Sequence, residues 1–147
     1  MAEAIFKHLI KEKGLENFVE TDSCGTANFH VGDDADPRTI SAVRSKGILI
    51  DHCVRQLVAT DLDTYDYVLA MDRSNYQNIG RLGNAANRPK IRMMRDFDPG
   101  HKGEEVPDPY YGNQKHFEEV YEILNRSLSQ LVAYLIETEH KKLNLTQ

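Results

Sequence analysis

Tyr67-Val68-Leu69-Ala70-Met71 is a short apolar run that ends on the acid Asp72. A run of this length and composition reads as a strand buried on both faces. Ser74 to Leu82 follows with helical character, and Ile91 to Met94 supplies a second apolar run. Parallel strands need a crossover connection, usually a helix, so strand, helix and strand in this order predict a parallel sheet covered on both faces. The expected fold class is α/β, a three-layer sandwich with a small parallel sheet flanked by helices.

Upstream, the chain reads as helical from its first residues. Ala2, Ile5, Phe6, Leu9 and Ile10 fall on one face at helical spacing, and Gly14 follows as a stop. Phe18 to Asp22 alternates apolar and polar and is expected as a strand, with Ser23 to Asp36 a loop. Asp36-Pro37 is a helix start, an N-cap acid followed by proline at the first helical position. Ile40 and Val43 give that helix its apolar stripe and Gly47 ends it. Thr60-Asp61-Leu62-Asp63 resembles a capping box with Asp in place of Glu. Downstream, Arg95 to Gly112 is a long loop rich in Asp, Gly and Pro, of a length that usually marks function or disorder. The last helix is expected from Gln114 to Glu139, with Phe117, Val120, Tyr121, Leu124, Leu128, Leu131 and Leu135 on its apolar face. Residues 1–139 are read as one domain and 140–147 as a frayed tail.

The 18 basic and 23 acidic residues leave a net charge of −5, which argues against general nucleic-acid binding. A local phosphate pocket can still oppose the global sign. No apolar run approaches a membrane span, and the N-terminus lacks the pattern of a signal peptide. Two cysteines, Cys24 and Cys53, do not make a disulfide framework, so a reduced, cytoplasmic compartment is expected.

In sheets of this kind, sites lie beyond the C-terminal strand ends. Ser23, Asp72 and the 95–112 loop each follow an expected strand and should share one edge. Within that loop stands Asp108-Pro109-Tyr110-Tyr111-Gly112. Two readings are open: a stiffened loop that holds a general acid against an aromatic wall of Tyr110 and Tyr111, or an Asp-Pro turn whose tyrosines close a hydrophobic edge. Ser23 reads either as a hydroxyl that supports a phosphate-holding loop or as part of an ordinary turn. His52 reads either as an orienting residue for a catalytic loop or as the partner of a buried carbonyl.

A phosphate-handling cysteine needs an arginine six positions on, and six after Cys24 is His30, six after Cys53 is Ala59. Both thiols therefore read as inert. The histidines and cysteines offer no tetrahedral zinc spacing, and no Walker loop, dinucleotide fingerprint or Gly-x-Ser-x-Gly elbow is present. No metal and no cofactor are expected.

Taken in order, these pieces resemble the low-molecular-weight protein tyrosine phosphatases, from Met1 to about Leu135. Met1-Ala2-Glu3-Ala4-Ile5-Phe6 looks like that family's first helix, and Asp22-Ser23-Cys24-Gly25-Thr26 resembles its Asp-Ser-Ala-Gly-Thr segment. Asp36-Pro37-Arg38, His52 through Arg55-Gln56, Ala70-Met71-Asp72 and Arg95-Asp96-Phe97-Asp98-Pro99 follow in order. Asp108 to Gly112 is the most specific match. The resemblance implies hydrolysis of phosphomonoesters, with a phosphotyrosine protein or a small aryl phosphate as substrate. It gives Asp108 the part of general acid and later base, and makes Tyr110 and Tyr111 the wall around the substrate ring. It sets Phe29 on the opposite rim, and Ser23 and His52 behind the phosphate loop as braces.

The family begins with a buried central strand and a loop of cysteine, five residues and arginine, whose end starts the first helix. Met1 stands just after that point, so the nucleophile, the arginine and the first strand are expected to be missing. One lost large core side chain costs about 2–5 kcal/mol, against a total stability of about 5–15 kcal/mol. A strand swapped from a second copy, in a dimer, would fill the gap. Three functions stay in competition: a phosphatase whose true start lies upstream, a non-catalytic relative that binds phosphotyrosine, and an arsenate-reductase-like thiol enzyme.

Overall fold

The computed structural model describes residues 1–26, 36–50, 55–110 and 112–145, with the side chains of the last helix described through Glu139. Helix α1, Ala2–Glu12, opens the chain and buries Ile5, Phe6 and Ile10. It ends where Gly14 turns the backbone at a φ of 66°, a conformation that glycine adopts without a side-chain penalty. Helix α2, Pro37–Arg44, starts as its sequence requires: the Asp36 carboxylate accepts the Arg38 amide, and proline fills the first turn. Val43 on α2 is wholly buried.

The short helix α3, Asp61–Thr64, forms without the expected capping box. Thr60 is itself in the helical region, at φ −66° and ψ −20°, so its hydroxyl does not reach the exposed amides. Asp61 turns away to Arg55 and to the Val58 amide instead. Strand β1, Val68–Ala70, and strand β2, Ile91–Met93, pair in parallel with Val68 opposite Ile91 and Ala70 opposite Met93. Helix α4, Arg73–Leu82, is the crossover between them. The final helix α5, Gln114–Leu145, runs past the Glu139 end expected for it.

Period-two alternation along β1 divides the core. Leu69 and Met71 face the larger cluster, where Ile5, Phe6 and Ile10 of α1 meet Val120, Leu124, Leu128 and Leu131 of α5. Val68 and Ala70 face the smaller cluster, with Leu57, Leu62, Ile79, Ile91 and Met93. The sheet is thus covered on both faces, which is the α/β sandwich expected.

The strand expected over Phe18 to Asp22 does not form. Turns from Leu15 reach Phe18 and Val19, and the Phe18 side chain is left 81 % exposed. A strand is completed by its neighbour's hydrogen bonds, and none of the described strands lies beside this segment. Parallel pairing begins further on, at a single bridge: Gly25 donates to the Arg55 carbonyl and accepts from Leu57.

Candidate active site

The C-terminal end of β1 gathers the long loop. Asp72 stands two residues past the strand and caps α4, its carboxylate accepting the Asn75 amide at 2.7 Å. The Val106 amide donates to the Met71 carbonyl at 2.7 Å. Glu105 accepts from the backbone and side chain of Arg73 at 3.2 and 3.3 Å. Asp72 and the 95–112 loop therefore share one edge, while Ser23, expected there too, makes its side-chain contact with Glu3 of α1 instead. Asp72 caps the crossover helix.

A buried ion cluster holds the loop from behind. The Asp98 side chain is fully buried and accepts from Arg95 at 3.0 Å and from Arg126 of α5 at 3.1 and 3.2 Å. Arg95 also donates to the Glu105 carbonyl and pairs with Glu104. Burial works to raise the Asp98 pKa, but the hydrogen bonds and charges of Arg126 and Arg95 prevail and hold it below the usual carboxylate value.

Two residues past Val106, Asp108 lies exposed on the surface, its carboxylate accepting the Tyr110 amide at 3.0 Å. Gly112 donates back to the Pro109 carbonyl at 2.8 Å and closes a tight turn. Tyr110 is 51 % exposed. Arg38, from the first turn of α2, reaches the same turn and donates to the Gly112 carbonyl at 3.1 Å. Its guanidinium lies over the rings of Tyr110 and Phe117.

Ser23 belongs to a second group of polar contacts. Its hydroxyl donates to the Glu3 carboxylate at 2.8 Å, and Glu3, buried in the first turn of α1, also pairs with Lys7 at 2.9 Å. The adjoining Asp22 accepts from Arg55 at 2.7 Å. Arg55 turns its other nitrogens to Asp61, so one guanidinium joins the 22–25 segment to α3. These contacts hold the Asp61 carboxyl below its ordinary pKa, the Arg55 hydrogen bond first among the causes.

Phe29, His52 and Tyr111 lie outside the described residues, as does Cys53. Cys24 is an exposed residue, yet desolvation around its sulfur pushes the thiol pKa up, the Arg55 charge pulling the other way. That is the opposite of an activated thiolate. Among the described residues no group of acids, histidines and cysteines is arranged to hold a metal ion. No helix among them is long and apolar enough to cross a membrane.

Sequence reading missed Arg38, Glu3 and Arg55 as organisers. Arg38 meets Gly112 from 74 positions away and Ser23 meets Glu3 from 20. No local pattern carries such pairings.

The fold and this edge define an α/β protein whose long acidic loop is docked at the C-terminal end of a parallel strand. The chain belongs to the low molecular weight phosphotyrosine protein phosphatase family, whose model it matches over residues 1–142. It is 38% identical to the low molecular weight phosphotyrosine protein phosphatase of Schizosaccharomyces pombe, over 82% of this chain and 78% of that one. With the low molecular weight protein-tyrosine-phosphatase of Streptomyces coelicolor it shares 36% identity, over 93% and 85% of the two chains. A crystal structure of a protein tyrosine phosphatase from Entamoeba histolytica, with Hepes in its active site, superposes with a TM-score of 0.89. That alignment has 36% identity and covers 94% of this chain and 88% of the other.

Proposed function

We propose that this chain serves the hydrolysis of aryl phosphate monoesters, phosphotyrosine proteins foremost, with Asp108 as the acid. Asp108 protonates the departing phenolate and afterwards takes a proton from the attacking water. Tyr110 and Tyr111 form the wall against the substrate ring, with Phe29 on the opposite rim. Ser23 and His52 brace the phosphate-binding loop. The observation that carries the reading is the family match across residues 1–142, combined with an acid loop held at the end of β1. The bond from Ser23 to Glu3 supports the bracing role, since it ties the Ser23 turn to the first turn of α1. A cytoplasmic setting accords with two cysteines and no disulfide framework.

The phosphoryl group needs a nucleophile opposite Asp108. Neither Cys24 nor Cys53 has an arginine six positions on, so these 147 residues alone are proposed to be inactive. The second reading proposed is a non-catalytic relative that binds phosphotyrosine. Among the described residues β1 pairs with β2 alone, which leaves room for a strand swapped from a second copy.

The test has two arms, both using para-nitrophenyl phosphate. These 147 residues are expected to release no nitrophenolate above buffer, and turnover would sink the missing-nucleophile proposal. Joining a relative's first strand and Cys-x5-Arg loop in frame before Met1 is expected to produce turnover. A folded but inert product would favour the binding module.

A further inference from the structure

Arg38 occupies a position between three elements. Its Nε and Nη2 donate to the two carboxylate oxygens of Asp36 at 3.2 and 3.0 Å. Its Nη1 donates to the Gly112 carbonyl at 3.1 Å. The guanidinium carbon lies 4.6 Å from the centroid of the Phe117 ring and 5.6 Å from that of Tyr110. Phe117 is buried at the start of α5, while Tyr110 is half open to solvent. Asp36 also accepts the Arg38 amide at 2.8 Å, so one carboxylate fixes both the base and the head of the arginine.

Each contact answers a different requirement. The Asp36 pair sets the plane of the fork. A planar fork with a weakly hydrated face can donate along its edge and lie on aromatic rings at the same time. Lysine carries a compact ammonium and cannot do both. An arginine that merely balanced Asp36 would have no need of the Gly112 carbonyl or of two rings. Phe117 is anchored in the core, Tyr110 is not, and Arg38 connects them.

We propose that Arg38 is a positioning residue for the 108–112 turn: it fixes the Gly112 carbonyl and the Tyr110 ring relative to buried Phe117, so that Tyr110 is a preset wall for an aryl group. What Tyr110 faces rests on the function proposed above; the hold on the turn does not. A wall fixed before the substrate arrives lowers the ordering cost of binding.

The experiment uses the 147-residue chain, so it is independent of phosphate turnover. Tyr110 ring protons are assigned by NMR with the help of Tyr110→Phe, and amide exchange is followed at Gly112, whose N–H closes the turn onto Pro109. In Arg38→Met, exchange at Gly112 is expected to quicken at least tenfold and the Tyr110 ring shifts to move toward those of a free tyrosine. Amides of β1, β2 and the second half of α5 should keep their protection. Arg38→Lys guards against a general loss of fold, because it keeps the charge beside Asp36. It is expected to leave the start of α2 protected yet to fail in restoring the Tyr110 shifts. Wild-type Gly112 exchange and Tyr110 shifts in Arg38→Lys would overturn the proposal. Inactivity of the strand-joined protein would instead count against the phosphatase reading and leave these signals unchanged.

Discussion

The Val106 amide donates to the Met71 carbonyl at 2.7 Å, and this bond places the acid loop at the residue just past the end of β1. Val106 itself is buried, at 6% exposure, so its side chain anchors the point where the backbone docks. Only Pro107 separates this anchor from Asp108. Val106→Pro removes the donor and leaves the Met71 carbonyl unanswered, at a cost of about 1–3 kcal/mol. Urea unfolding should show that loss, whereas Val106→Thr should retain the bond. Equal midpoints for the Pro variant and the wild type would mean that the bond does not hold the loop.

The ion cluster behind the loop should be the more sensitive element. Asp98→Ala would remove the buried carboxylate that Arg95 and Arg126 share, leaving Arg95 only the exposed Glu104, and removing one partner of a buried pair costs about 3–5 kcal/mol. The direction of its pH dependence follows from the lowered pKa. A carboxylate depressed in the folded state contributes stability above its unfolded pKa of about 3.9 and loses it as pH falls through the lower folded value. Asp36 and Asp61 are depressed as well, each by hydrogen bonds from an arginine. Stability should therefore be level well above pH 4 and fall below it, and Asp98→Asn should flatten that acid limb. An unaltered acid limb in the Asn variant would assign the acid sensitivity to other carboxylates.

What could be read from the sequence follows the range of the interaction. Val68 to Ala70 was legible because a strand buried on both faces must be apolar throughout. The Asp36 cap was legible because acceptor and amide are two residues apart. Phe18 to Asp22 misled because alternation predicts a half-buried surface, while a strand also needs a neighbour, which no local pattern encodes. Thr60 misled in a similar way: the residue type was right and the backbone conformation was not. At the site, Asp108 and Tyr110 were singled out by type and spacing with two readings open, and it was the family resemblance that gave them roles. The arginines that organise their surroundings were not singled out, since Arg38 and Arg126 act across 74 and 28 positions.

Gly112 tests how tightly the turn fits the start of α5. A Cβ built there would lie 2.6 Å from the His116 Nδ1 and 2.7 Å from Cγ, well inside contact distance. The ring has little freedom to retreat, because His116 Nδ1 accepts the Asn113 amide at 3.1 Å while Asn113 accepts the His116 amide at 3.3 Å. Gly112→Ala should therefore destabilise by about 1–3 kcal/mol, the usual cost of overpacking. His116→Ala in the same chain removes the Nδ1 and Cγ overlaps but keeps the His116 Cβ, itself 2.8 Å from the added methyl, so it should recover only part of the loss. A double variant no more stable than Gly112→Ala would place the strain in the backbone instead of the ring.

Asp108 is the residue whose substitution bears most directly on the proposed chemistry. Its carboxylate is exposed and bonded to the Tyr110 amide, so Asp108→Asn keeps an acceptor for that bond and leaves the turn intact. What asparagine cannot do is deliver a proton to the phenolate. In the protein joined to a Cys-x5-Arg loop, the substitution should slow aryl phosphate hydrolysis by about 10²–10⁴-fold, the range of general acid catalysis. The loss should be larger for a basic leaving group such as phenol than for nitrophenol, which departs with less protonation. It should also fall on kcat more than on KM, because proton transfer belongs to the transition state. A loss below tenfold, or one equal for both leaving groups, would remove Asp108 from the role and leave the loop as a wall without an acid.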